Sequence, residues 1–85
     1  MFKIERITMT KRTDDDGELV PDFDSDFFVM FSKQGIPVFD YEFRAKEFDS
    51  KEDAEAVVTQ LKSLFDNTKR RISRVYFQIE EVRAA

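Results

Sequence analysis

A single segment with helical periodicity, between residues 50 and 65, constrains the fold of this chain more than any other feature. Six of its apolar residues recur at spacings of three and four, which places them on one stripe of a helix. They are Ala54, Val57, Val58, Leu61, Leu64 and Phe65. Burying each large side chain yields about 1.5–3 kcal/mol, so we expect the stripe to pack on the apolar face of a sheet.

The predicted helix has a marked beginning and an expected end. Ser50 is a residue of the N-cap type, and Asp53 follows it at the position that a capping box gives to an acid. Glu52 and Glu55 suit the positive end of the helix dipole. Asn67 is the residue at which we expect the helix to stop.

The first nine residues are rich in side chains that favour β-structure. Phe2 and Ile4 belong to one phase of the strand alternation, whereas Ile7 and Met9 belong to the other. Only one phase can face a given layer of the protein. We therefore predict a β-bulge near Glu5 that brings all four side chains to the same face.

Two further segments before the helix have the patterns of strands. Residues 27–31 form a continuous apolar run, which predicts a central strand that is covered on both faces. After a short polar turn, Phe39, Tyr41 and Phe43 alternate with charged residues. This alternation predicts a half-buried strand whose aromatic side chains meet the helix.

The segment after the helix predicts one more strand. It starts near Ile72 and directs Val75, Phe77 and Ile79 to one face. The predicted element order is therefore β-β-β-α-β. It corresponds to a single α+β domain over residues 1–85, a two-layer sandwich in which an antiparallel sheet of about four strands carries one amphipathic helix.

The chain contains neither cysteine nor histidine. Their absence removes thiolate nucleophiles, sulfur-bound zinc and the commonest general base. With only two glycines the chain cannot build a glycine-rich phosphate loop, and no nucleophile has an evident neighbouring base. We therefore expect a non-catalytic protein with no cofactor and no metal. The lack of cysteine and the charges that interrupt the amino terminus favour a cytoplasmic protein without membrane association.

Residues 14–26 carry seven carboxylates and no basic residue, so the rest of a chain of net charge −4 is net positive. The acidic residues are Asp14, Asp15, Asp16, Glu18, Asp22, Asp24 and Asp26. A calcium loop with Gly17 at its turn would place Arg12 and Phe23 at ligand positions. The spacing therefore argues against a metal site.

Asp14, Asp15, Asp16 and Gly17 form a turn signal that can close a hairpin or open a long loop. The acidic segment, named the acidic loop here, has two interpretations. It can be a solvated, mobile loop whose charge keeps the protein soluble. It can also dock on a basic surface of another protein. Short aspartate side chains hold their charges at fixed spacings as phosphates do, and this composition is similar to that of small acidic inhibitors that occupy nucleic-acid-binding clefts. Our first hypothesis is therefore a protein-interaction module, an inhibitor or regulator that acts as a nucleic-acid mimic.

A basic segment supports an alternative function. Lys69, Arg70, Arg71 and Arg74, together with Lys62, can contact phosphates if they share a face. The basic-aromatic strand motif of the common RNA-recognition module is absent from the sequence. The same cations also suit the carbonyl end of the predicted helix, so nucleic-acid binding and a structural role both stay open.

Five apolar residues remain once the helix-facing set is assigned, and we expect them on the outer face of the sheet. They are Phe28, Met30, Ile72, Tyr76 and Val82. Either Leu19, Val20 and Phe23 fold over that face, or a partner covers it, because a large exposed apolar patch is a liability in a monomer. A structural homo-oligomer joined through this face or through a strand edge is the third hypothesis.

Overall fold

The computed structural model describes residues 1–66 and 73–82, in which four strands form one antiparallel sheet that carries one α-helix. The elements are β1 (Phe2–Thr13), β2 (Leu19–Phe31), β3 (Pro37–Asp40), a 3-10 helix (Glu42–Arg44), α1 (Lys51–Leu64) and β4 (Arg74–Glu81). The spatial order of the strands is β3-β2-β1-β4. The predicted α+β class and the order β-β-β-α-β are confirmed.

Helix α1 begins where its cap predicts. Ser50 has extended backbone angles, and its Oγ accepts a hydrogen bond of 3.2 Å from the backbone N–H of Asp53. The helix ends at Leu64, and the Phe65 N–H donates the last helical hydrogen bond to the Leu61 carbonyl at 3.0 Å. Asn67, the expected stop, lies outside the described residues.

The core lies between α1 and one face of the sheet. Ala54 and Leu61 of the helix and Ile4 of β1 are fully buried, and Phe28 of β2 is 2% exposed. Phe28 is paired with Phe39 of β3, and the two rings pack edge-on with 6.0 Å between their centroids. The predicted helical stripe therefore does pack on the sheet.

Leu64 is the exception within the helical stripe. Its side chain is 56% exposed, whereas Val57 on the same side of the helix packs against the core. Leu64 belongs to the last turn of α1 and lies at the margin of the stripe, whereas the next residue, Phe65, packs on Phe39 and Phe77 of the sheet. The prediction that Leu64 is buried is wrong.

Strand β1 is regular, and the predicted bulge near Glu5 is wrong. Its register with both neighbouring strands is constant, with Glu5 opposite Phe27 of β2 and Gln78 of β4. Phe2 and Ile4 therefore face α1, whereas Ile7 and Met9 point to the opposite side, called the outer face below. The register irregularity lies instead in β2, between Phe28 and Met30.

Strand β2 has buried side chains on both of its faces, as the apolar run predicts. Phe28 belongs to the core under α1, and Phe27, on the outer face, is 7% exposed. The strand lies between β3 and β1, so its predicted central position is confirmed.

Strand β3 is shorter than the alternation predicts. It ends at Asp40, whose carboxylate accepts hydrogen bonds from the Tyr41 N–H at 2.8 Å and from Arg44 Nη1 at 3.0 Å. These local bonds support a 3-10 turn in place of a continued strand. Phe39 packs against the core, but Tyr41 and Phe43 are 72% and 81% exposed, so the prediction that they meet the helix is wrong.

The segment between the 3-10 helix and α1 is anchored to both central strands. The Lys46 N–H donates to the Phe28 carbonyl at 2.9 Å. Phe48 exchanges two backbone hydrogen bonds of 2.8 Å with Phe2, and its ring is buried in the core. These contacts fix the position of Ser50 and hence the start of α1.

Candidate functional site

The acidic residues lie on a β-hairpin and not on a loop. β1 and β2 pair continuously from Glu5 and Phe27 to Thr13 and Leu19. Pairing of β1 with β4 ends at Met9, which stands opposite Phe23 of β2, so within the described residues the hairpin is two-stranded from Thr10 to Asp22. Residues 10–24 are called the hairpin arm below. The prediction of one acidic loop is therefore wrong for the three aspartates that lie on β2, which are Asp22, Asp24 and Asp26.

The tip of the hairpin arm is held by Asp14. Its Oδ1 accepts hydrogen bonds from the Asp16 N–H at 3.0 Å and from the Glu18 N–H at 2.9 Å. Gly17 has φ +83°, a conformation that other residues rarely adopt, and its N–H donates to the Asp14 carbonyl. Asp14 therefore has a structural role, whereas Asp15, Asp16 and Glu18 expose their carboxylates.

The aspartates of β2 form a row on the same side of the sheet as α1. Asp22, Asp24 and Asp26 stand opposite Thr10, Thr8 and Arg6 of β1, respectively. Alternate residues of an antiparallel strand are about 6.8 Å apart, and this is the spacing of the row. The row begins at the core and runs outward along the hairpin arm.

Asp26 is engaged inside the protein. Its carboxylate accepts two hydrogen bonds from the Arg6 guanidinium, one of them from Nε at 2.8 Å, and the pair is half-buried. The same guanidinium lies over the ring of Phe39, with Cζ 3.8 Å from the centroid, and near Phe65. Because Asp26 is engaged by Arg6, Asp22 and Asp24 are the residues of the row that can bind an external partner.

The exposed acids of the hairpin arm have no ion pair inside the part of the chain that the structure describes. The two pairs found there join Arg6 to Asp26 and Arg44 to Asp40. Lys11 and Arg12 are the basic residues of the arm, and both lie on β1. The arm therefore presents an excess of uncompensated carboxylates, formed by Asp15, Asp16, Glu18, Asp22 and Asp24.

The edge of β2 gives these acids a second explanation. Among the described residues, no strand pairs with residues 19–26 on the side away from β1. Charged side chains and proline on a free edge prevent pairing with other chains, and this edge carries Pro21 beside the three aspartates. Edge protection and docking are compatible functions of the same side chains.

The predicted basic cluster is only partly within the described residues. Lys69, Arg70 and Arg71 lie outside them. Arg74 is the first residue of β4, stands opposite Met9 on the outer face and donates a hydrogen bond of 3.0 Å from Nη1 to the Ser73 carbonyl. Lys62 is exposed in the last turn of α1. Nucleic-acid binding through this cluster stays a prediction.

Within the part of the chain that the structure describes, the residues of the predicted apolar interface do not form one patch. Phe28 faces α1 and belongs to the core, so its assignment to the interface is wrong. Met30 and Tyr76 are about half exposed, but they lie on strands that are not neighbours. Met30 belongs to β2 and pairs with Val38 of β3, whereas Tyr76 belongs to β4 and pairs with Ile7 of β1. Ile72 lies outside the described residues.

Residues 19–23 do not fold over the outer face. They continue β2 along the hairpin arm, where Leu19 and Phe23 are 67% and 62% exposed. Pairing with β1 holds these residues in an extended strand, so they cannot form the expected cover. Val82 is half-buried, and its N–H donates to the carbonyl of Met1.

The sequence pattern does not predict an exposed pair of aromatic side chains that the structure contains. Tyr41 and Phe43 stack on each other at the 3-10 helix, with centroids 6.0 Å apart and an interplanar angle of 14°. The signal that could have revealed it is Asp40, because an aspartate inside a predicted strand can accept hydrogen bonds from nearby backbone N–H groups and so favours a local turn. The pair is a second exposed surface, distinct from the hairpin arm.

The carboxyl of Glu80 has a pKa above its ordinary value. Burial raises its pKa, and so do a side-chain hydrogen bond with Glu5 and the negative charges of Glu5 and Glu42. Lys3, directly opposite on β1, acts in the other direction. Glu80 therefore belongs to a small acidic cluster on the outer face, near the end of β4 remote from the hairpin arm.

Comparisons with protein-family models, with curated proteins and with solved structures found no match for this chain. Within residues 1–66 and 73–82, no three acidic, histidine or cysteine side chains come together as a set that could hold a metal ion. In the same ranges, no helix has the length and apolar character needed to cross a membrane.

Proposed function

We propose that this protein is a non-catalytic protein-interaction module that docks its hairpin arm on a basic surface of a partner protein. One observation carries the proposal: the arm exposes carboxylates that have no ion pair among the described residues. Charges that are not neutralised internally create a potential that attracts and orients a basic partner. The proposed setting is the cytoplasm, and no cofactor is involved.

The spacing of the acids supports a partner that binds nucleic acid. The carboxylates of Asp22 and Asp24 are carried by alternate residues of β2, which are about 6.8 Å apart along the strand. Two nucleotide steps of one B-DNA strand also cover about 6.8 Å of the helix axis. Asp15, Asp16 and Glu18 extend the negative surface around the tip. The proposed protein is thus an inhibitor or regulator that occupies a cleft in place of a phosphate backbone.

Two matched variants test the proposal. The arm variant replaces four exposed aspartates of the hairpin arm by asparagine: Asp15, Asp16, Asp22 and Asp24. The control variant neutralises the same number of exposed carboxylates elsewhere: Glu47, Asp49, Glu52 and Glu55. Asp14 and Asp26 stay unchanged, because both make hydrogen bonds that hold the fold.

The experiment is affinity capture from the native host lysate at low and moderate salt, with mass spectrometry and nucleic-acid staining of the bound material. We expect a protein that is captured by wild type and by the control variant and is lost with the arm variant. Equal capture by all three proteins contradicts arm docking. Nucleic acid bound equally by all three favours the alternative function, carried by Lys69, Arg70, Arg71 and Arg74.

A further inference from the structure

The hairpin arm has two chemically different faces along β2. Asp22 and Asp24 lie on the same side of the sheet as α1, whereas Leu19, Pro21 and Phe23 alternate with them and point to the outer face. All five side chains are exposed, Leu19 to 67% and Phe23 to 62%. This strand therefore carries carboxylates on one side and apolar groups on the other.

The apolar groups of the arm lie mainly on β2. On the outer face of β1, Lys11 stands opposite Pro21 and Thr13 stands opposite Leu19. Phe23 stands opposite Met9, which is half-buried at the base of the arm. The exposed apolar side chains thus follow the same strand as the exposed aspartates.

The edge of β2 makes both faces of the arm accessible to one partner. Among the described residues, no strand pairs with residues 19–26 on the side away from β1. Neighbouring residues of a strand are about 3.4 Å apart along its axis and point to opposite faces. A partner that encloses this edge to bind Asp22 and Asp24 therefore also meets Pro21 and Phe23.

The charge of the arm favours a basic partner over a second copy of this chain. Residues 10–24 contain six acidic and two basic residues. Two arms joined through their apolar faces would bring like charges together, which disfavours the contact. A basic partner gains attraction instead, and the apolar side chains add affinity, because complementary charge mainly increases the rate and specificity of association.

We propose that the arm binds in a groove that a partner protein uses to hold a single strand of nucleic acid. This inference rests on the proposed function and names the class of partner. Such grooves combine cationic side chains that follow the phosphates with aromatic side chains on which unpaired bases stack. The carboxylates of Asp22 and Asp24 take the place of phosphates, and Leu19 and Phe23 contact the wall that otherwise holds bases.

A single strand is a better counterpart of the arm than a duplex. Phosphates follow one side of a single strand and unpaired bases follow the other, as carboxylates and apolar groups do along β2. In a duplex the bases are stacked inside, so a cleft that binds the duplex backbone offers no wall for Leu19 and Phe23.

Three variants of the full chain test the apolar side of the contact. The apolar variant carries Leu19→Thr and Phe23→Thr, because threonine favours strands but lacks the large apolar group. The matched control carries Tyr41→Thr and Phe43→Thr, which removes two comparably exposed side chains outside the arm. Phe23→Tyr keeps the aromatic ring. Circular dichroism establishes that each variant is folded.

The measurement is affinity capture from the native host lysate with increasing amounts of a single-stranded thymidine oligonucleotide or of a DNA duplex of the same length. We expect a protein that wild type, the matched control and Phe23→Tyr capture alike. The apolar variant is expected to retain it at least about tenfold more weakly. The single strand is expected to release it at a concentration at least about tenfold lower than the duplex.

The outcomes separate this inference from the proposed function. A protein that is lost with the arm variant but captured equally by the apolar variant overturns the apolar contact and leaves acidic docking in place. Release by the duplex as readily as by the single strand, or by neither, overturns the assignment of the groove. Capture that does not depend on the arm variant contradicts the proposed function and this inference together.

Discussion

At the scale of the residue, Arg6 connects the acidic row to the core. Its guanidinium binds Asp26 through two hydrogen bonds and lies over the ring of Phe39. Arg6 therefore lies at the boundary between the apolar core and the row of aspartates. The side chains of the ion pair are 24% and 31% exposed, and water screens their attraction only in part. Arg6 therefore contributes to stability both as a charge and as a packed planar group.

Arg6→Ala is expected to lower the free energy of unfolding by about 1–3 kcal/mol, since it removes charged hydrogen bonds and the aromatic contact together. Asp26→Asn is expected to cost less, because it leaves the guanidinium on Phe39. Urea unfolding of the two variants measures the difference. Equal losses for both would show that the contact with Phe39 contributes nothing.

The carboxyl of Glu80 makes stability depend on pH in a defined direction. Because its pKa is raised, the folded chain binds this proton more tightly than the unfolded chain. The contribution is fully present below the ordinary pKa of 4.5 and is lost as pH rises through the raised value. At neutral pH the ionised carboxylate therefore destabilises the fold.

Glu80→Gln is expected to stabilise the folded chain at pH 7 by roughly 0.2–1 kcal/mol, the scale of a cross-strand charge interaction. The gain is expected to vanish below pH 4.5, where the wild-type carboxyl is protonated in both states. Thermal unfolding at the two pH values gives the comparison. A gain that is the same at both pH values would be inconsistent with the titration of Glu80.

At the scale of the element, local signals in the sequence were reliable where the structure depends on local bonds. Ser50 predicts the start of α1 because its hydroxyl bonds to an N–H three residues away. The alternation of β4 predicts its faces because Phe77 and Ile79 pack against the core under the helix and Val75, in the same phase, is buried. The start of α1 depends on residues that are neighbours in sequence, and the faces of β4 depend on the single apolar face that the helix covers.

The wrong predictions concern features that are determined by contacts between residues far apart in the sequence. The two apolar phases of β1 suggested a bulge, but both faces of this strand carry partly buried apolar side chains, so no bulge is needed. The turn signal around Gly17 allows a hairpin as well as a loop, but nothing in the local pattern gives the nine residue pairs that join β1 and β2. Pairing partners and register are long-range properties, and one sequence contains little information about them.

Substitutions of Leu61 and Leu64 test where the buried part of the helical stripe ends. Leu61 is fully buried and Leu64 is 56% exposed, although the same periodicity predicts both in the core. Leu61→Ala is expected to cost about 2–5 kcal/mol of stability through lost contacts and the cavity left behind. Leu64→Ala is expected to cost less than about 0.5 kcal/mol. Chemical denaturation distinguishes them, and similar costs would mean that the last turn of α1 packs differently.

At the scale of the whole molecule, the hairpin arm and the core lie at different ends of the sheet. The arm continues β1 and β2 beyond the Met9–Phe23 pair, whereas α1 packs on the part of the sheet that contains Ile4 and Phe28. A partner docked on the arm therefore does not need to displace the helix.

The central claim is that the hairpin arm binds through its uncompensated carboxylates, and the salt dependence of binding tests it most directly. The measurement is the affinity for the captured partner at a series of salt concentrations, for wild type, the arm variant and the control variant. The account predicts that wild-type and control affinities fall with salt. It predicts an arm variant at least about tenfold weaker at low salt, with a flatter dependence. An arm variant with wild-type affinity and wild-type salt dependence would contradict the account.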